Sequence, residues 1–126
     1  METDILPFPI GIEYENLEFE LEVLPEKIKG YDSYIYVGKK VKNFLNYPTE
    51  KLELIFHWDI LQAVIIKQID FNPKQKLLKY FEVIEENEKF SIYQNEEIQL
   101  YIIKASNNIL YGKPDVISSI LPTLLC

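Results

Sequence analysis

The chain of 126 residues contains no arginine; all 13 of its basic residues are lysines. Arginine is the usual residue for bidentate recognition of phosphate and guanine, so its absence, with a net charge of −7, argues against nucleic-acid binding. A single cysteine, Cys126, rules out an internal disulfide and a thiolate zinc cluster. The lone histidine, His57, cannot build a common zinc site. No apolar run approaches the roughly 20 residues that span a bilayer as a helix, so no membrane partner is expected. The acidic start, Met1-Glu2-Thr3-Asp4, lacks the basic and apolar segments of a signal peptide, so a cytoplasmic location is expected.

Charge is unevenly spread. Residues 1–26 carry eight acids and no base, whereas the remaining hundred carry 12 acids and 13 lysines. The net acidity therefore belongs to the amino end. Within it, Leu17, Phe19, Leu21 and Val23 alternate with Glu18, Glu20 and Glu22, the period-two pattern of a half-buried strand with one carboxylate face. Pro25 would stop that strand, and Tyr31–Val37 supplies an aromatic, β-branched partner. Register decides whether Tyr34 and Tyr36 lie beside the glutamates or behind them. Lys27, Lys29, Lys39, Lys40 and Lys42 follow closely, and the simplest expectation is that they partly neutralise the acidic strand.

Further along, Ile10–Tyr14 reads as a short strand, and Gly38–Asn46, with Val41, Phe44 and Leu45 spaced for one face, as a short helix. Leu52, Leu54, Phe56 and Trp58 share one strand face and should enter the core. Residues 60–71 read as a strand from Val64-Ile65-Ile66. Lys74, Lys76 and Lys79 stand at the wrong end for the dipole of a helix over 73–87, so 72–75 is expected to turn between two long strands. Lys89–Tyr93, Ile98–Lys104 and Ile109–Tyr111 continue the strands, and Val116–Leu121 suits a terminal helix ended by Pro122. The expected fold is one mainly β domain over 1–126, an antiparallel meander or partly closed barrel with one or two short helices.

No set of catalytic roles assembles from these residues. Ser33, Ser91, Ser106, Ser118 and Ser119 lack a nucleophile context, and no glycine-rich phosphate loop exists. A chain without catalytic residues, metal or cofactor is therefore expected. Its expected role is a non-catalytic protein-binding module that presents Glu18, Glu20, Glu22, Tyr34 and Tyr36 to a basic protein. Size and charge suggest an inhibitor or immunity-type protein. A hydrophobic-ligand barrel is the alternative. The apolar tail Thr123–Cys126 is a candidate oligomer contact.

Overall fold

The computed structural model describes residues 6–39, 43–44, 47–49, 51–67, 69, 72–96 and 98–125. Two 3-10 turns, Tyr14–Asn16 and Glu18–Glu20, precede β1 (Leu21–Leu24) and β2 (Asp32–Tyr36). A two-stranded ribbon, β3 (Asn43–Phe44) and β4 (Tyr47–Pro48), leads to β5 (Lys51–His57) and β6 (Ile60–Lys67). One helical turn, α1 (Lys74–Leu77), then β7 (Glu82–Glu86), β8 (Phe90–Gln94), β9 (Gln99–Ile103), β10 (Asn108–Gly112) and α2 (Pro114–Leu125) complete the order.

Eight strands form one antiparallel sheet in the order β1-β2-β5-β6-β10-β9-β8-β7. It is mainly β, as the alternating patterns imply, and it is two four-stranded meanders joined where β6 meets β10. The sheet does not close. A barrel is excluded, since β1 and β7 stand at opposite edges.

Paired residues share a face, so the register sorts the core into two layers. One face carries Tyr34, Leu54, Val64, Tyr111, Leu100 and Tyr93 in a row across six strands. The amino-terminal segment covers it through Phe8, and Leu77 and Phe81 join the same cluster. The other face carries Ile55, Ala63, Ile65 and Leu110, covered by Val116, Ile117 and Ile120 of α2. With both faces covered, β6 is buried from Leu61 to Ile66, which explains its continuous apolar run. A bulge at Gln62 keeps Leu61 and Val64 on the same face despite their odd spacing.

The two halves meet closely. A Cβ on Gly112 would lie 2.5 Å from Gln62 O and 2.8 Å from Ala63 Cα, so only glycine allows this approach of β10 to β6. The buried Tyr111 hydroxyl donates to Phe8 O at 2.7 Å and accepts from Phe8 N at 3.0 Å, tying the amino-terminal segment to the seam.

Several elements differ from the sequence reading. Ile10–Tyr14 gives only an isolated bridge, Glu13 to Ile60, before turning. Asn43–Phe44 is extended rather than helical, while 40–42 and 45–46 lie outside the described residues. Trp58 is 85% exposed, because Trp58 and Asp59 form a two-residue hairpin loop with φ of 52° and 60°. The turn expected at 72–75 is a single helical turn, Lys74–Leu77, and the strand after it starts only at Glu82; at that length the dipole argument loses its force. Pro122 lies inside α2, which continues to Leu125; buried Ile120 anchors the turn before it. Tail side chains beyond Thr123 lie outside the described residues.

Burial holds the Tyr111 phenol above its ordinary pKa, so the folded state keeps the neutral form. An unfolded tyrosine ionises near pH 10. The stability tied to Tyr111 is thus complete below about pH 10 and declines above it. Tyr111→Phe should cost about 1–3 kcal/mol at neutral pH, from the unpartnered Phe8 amide groups. Its unfolding midpoint should also fall less steeply than the parent's in alkaline denaturant titrations.

Candidate functional site

The sequence-predicted residues occupy three different settings. The strand is shorter than the alternation implies: Glu18–Glu20 forms a 3-10 turn, and only Leu21–Leu24 joins the sheet. Leu21 pairs with Tyr36 and Val23 with Tyr34, so Tyr34 and Tyr36 face the core while Glu22 lies on the opposite face with Ile35. Tyr34 is half-buried against Tyr14 and Phe56. Tyr36 is buried, and its hydroxyl donates to Glu20 Oε1 at 2.8 Å. The expected presentation of Tyr36 to a partner is therefore corrected: it is used inside the fold, packed edge-on to Phe8. Gly38 leaves the room that the Tyr36–Glu20 contact fills.

Glu18 and Glu22 are exposed, and neither has an ion pair among the described residues. Phe19, between them, is 93% exposed and Val23 is 77% exposed. β1 is also a sheet edge. The sequence pattern would bury Phe19. The 3-10 turn breaks the period of two and turns its ring out.

Of the lysines expected to neutralise this stretch, Lys27, Lys29 and Lys39 form no ion pair with Glu18, Glu20 or Glu22, and Lys40 and Lys42 lie outside the described residues. Lys27 instead binds Glu53 Oε2 at 3.1 Å, and Lys67 binds Glu53 Oε1 at 2.9 Å. Glu53 is 1% exposed, on β5 beneath the α2-covered face. Its carboxylate lacks well-directed hydrogen bonds, so charge attraction to the two ammonium groups holds it. Further along the same hairpin, His57 stacks on Tyr31 at 4.5 Å, and Asp59 sits in the loop.

A second site lies at the other end of the sheet, and sequence reasoning did not find it. A cleft of about 380 Å³ opens where Ile69, Asn72, Pro73 and α1 meet β7, β8 and β9. Ser91 and Tyr93 line it from alternate positions of β8. A bulge at Ile84 shifts the register of β7, so that Glu86 pairs with Ser91 and shares its face. Glu86 takes Lys74 at 3.4 Å and Lys104 at 3.6 Å. The Lys104 ammonium also donates to Asn87 O at 2.7 Å. Asn72 Oδ1 accepts from Lys74 N at 3.0 Å, fixing the start of α1 at the cleft mouth. Burial, and then the charge of Glu86, raise the Tyr93 pKa, so the phenol stays a proton donor at neutral pH. Only the β8 alternation of Ser91 and Tyr93 was visible beforehand; the bulge and the α1 crossing were not.

No family model matches the chain. Among curated proteins it is similar to the acetyltransferase PseH of Campylobacter jejuni subsp. jejuni serotype O:23/36 (strain 81-176). The two are 32% identical over 87 residues, which cover 61% of this chain and 55% of that one. Among solved structures it is similar to a cysteine-rich secretory protein, SAV1118, from Staphylococcus aureus subsp. aureus Mu50. That TM-score is 0.53 at 10% identity, over 90% of this chain and 46% of the other, and it concerns the fold alone. The chain thus spans about half the length of each protein it matches. The expectation of a chain without enzymatic activity is overturned by the likeness to an acetyltransferase. Among the described residues no helix is long and apolar enough to cross a membrane.

Removing both lysines from Glu53 leaves a buried carboxylate without compensation. The double substitution Lys27→Met with Lys67→Met should cost about 3–5 kcal/mol, read from the urea unfolding midpoint. Either single change should cost less than half of that, because the other ammonium group remains.

Proposed function

We propose that this chain is a protein-recognition domain whose β1 edge takes an extended, basic segment of a partner. The observation that carries the reading is Phe19, 93% exposed in the 3-10 turn that leads into the edge strand β1, with Glu18 and Glu22 on either side of it and neither engaged by a lysine among the described residues. An apolar ring held in water beside unpaired carboxylates suits a segment that alternates lysines with apolar side chains. The carboxylates would speed encounter, and the ring would slow release. Repulsion between two acidic edges would also disfavour pairing of β1 with its own copy.

The alternative of an apolar interior cavity draws no support from the fold: the sheet is open, and Tyr93, Tyr111, Phe8 and Phe56 fill the face that would line one.

An alternating lysine–valine octapeptide is a direct probe. Its association rate should fall as salt rises, and Glu18→Gln with Glu22→Gln should lower that rate by about tenfold at low salt with the fold intact. Phe19→Ser should instead raise the dissociation rate. Association that ignores both salt and the glutamates would contradict the reading.

The likeness to PseH favours a second reading, in which the chain takes part in acetyl transfer. Such transfer needs donors for a carbonyl oxygen and a group to receive the acceptor's proton. Ser91, Tyr93 and Glu86 in the cleft are the residues we assign to those tasks. Thioester consumption in the presence of a small amine, lost in Tyr93→Phe, would support it. No turnover above the protein-free rate would overturn it.

A further inference from the structure

The cleft between α1 and β7–β9 contains more hydrogen-bond donors than its own residues use. Ser91 is buried to 4% exposure, yet among the described residues its hydroxyl has no hydrogen-bond partner. The Tyr93 hydroxyl has none either, although the ring is almost fully enclosed. Neither oxygen is sealed off, since the buried polar atoms left without partners belong to Ser33 and Glu53. Both residues therefore offer their hydroxyls to the cleft that they line. Buried hydroxyls are seldom left so, because each costs stability when nothing meets it.

Above them stand two ammonium groups, Lys74 and Lys104, and one carboxylate, Glu86. The lysines reach Glu86 only loosely, at 3.4 Å and 3.6 Å. Two ammonium groups and two hydroxyls thus face one carboxylate, with a formal charge of +1 among these five side chains, although Lys104 also donates to Asn87 O at 2.7 Å. Ile69, Pro73 and Ile102 supply an apolar wall. The volume, about 380 Å³, is within the range of small-molecule sites.

We infer that this cleft binds a small organic oxyanion, a carboxylate or phosphate monoester on a compact apolar body. The oxyanion accepts hydrogen bonds from the hydroxyls of Ser91 and Tyr93 and draws Lys74 and Lys104 away from Glu86. The apolar body lies against Ile69, Pro73 and Ile102. Glu86 is then a competitor for the same lysines, an internal occupant that the ligand displaces. The inference rests on the donor excess and is independent of both the β1 edge and the acetyl-transfer reading.

Calorimetric titration of the full chain with phenyl phosphate and with phenylacetate tests it, with benzyl alcohol as the uncharged control. One of the two anions should bind with a Kd on the order of millimolar, as a compact ligand of this size does. The better anion identifies the source as a phosphate ester or a carboxylate. Ser91→Ala and Tyr93→Phe should each weaken binding by about three- to tenfold, the loss of one hydrogen bond to a charged group. Glu86→Gln should tighten it by about tenfold, because both lysines are released to the ligand. A purely structural role for Glu86 would give no such gain. Circular dichroism of each variant verifies the fold, and a hydroxyl variant that unfolds leaves the Glu86→Gln gain to decide. Anions that bind no better than benzyl alcohol, or a folded Glu86→Gln with unchanged affinity, would overturn the inference. Anion binding without thioester turnover supports it while removing the acetyl-transfer reading.

Discussion

The pairing of β6 with β10 is the constraint on which the rest of the molecule depends. Each half of the chain makes a local meander of four strands, and neither meander covers its own faces. The seam joins them into one sheet and creates two continuous core layers. Its closeness follows from Gly112, where a side chain would strike Gln62 and Ala63 of the opposite strand. Its outer layers follow from what emerges beside it. Tyr111 fastens the amino-terminal segment to one face through Phe8, and α2 begins two residues after Gly112 to cover the other.

That arrangement also places the two candidate sites. Joining two meanders antiparallel leaves β1 at one edge, just after Glu18 and Glu20, and β7, with three glutamates, at the other. The lysines are spent unevenly between them. Lys27 and Lys67 are committed to Glu53, whose burial makes their charge worth more there than on any exposed carboxylate. Glu18 and Glu22 are left facing water, and Glu20 is held by Tyr36. At the far edge, Lys74 and Lys104 gather around Glu86 because a bulge turns that residue toward the cleft. One buried glutamate therefore shapes the field at one edge, and one irregular strand builds the site at the other.

Alternation made most of the sheet legible in the sequence. Asp32–Tyr36, Lys51–His57 and the last three strands match, to within a residue or two at their ends, segments read as strands, and Ile60–Lys67 lies in the segment read as a strand from the run Val64-Ile65-Ile66. Single residues misled where local backbone geometry overrode that period. Phe19 reads as core and is exposed, because a 3-10 turn interrupts the strand. Trp58 reads as core and sits on a hairpin loop, because the register of β5 with β6 ends at His57 and Ile60. Glu53 reads as surface and is buried, since nothing in its own strand says that Lys27 and Lys67 will close over it. The acidic edge was legible as charge but not as geometry. The cleft was not legible at all: its residues come from α1, β7, β8 and β9, and the bulge that aligns them has no sequence mark.

The central functional claim is that β1 is a free edge awaiting an extended partner, and backbone amide exchange tests it most directly. With the alternating lysine–valine peptide present, the β1 amides of Leu21–Leu24 should gain protection, while those of β7 at the opposite edge stay unchanged. Equal protection at both edges, or none at β1 when the peptide is bound, would contradict the account.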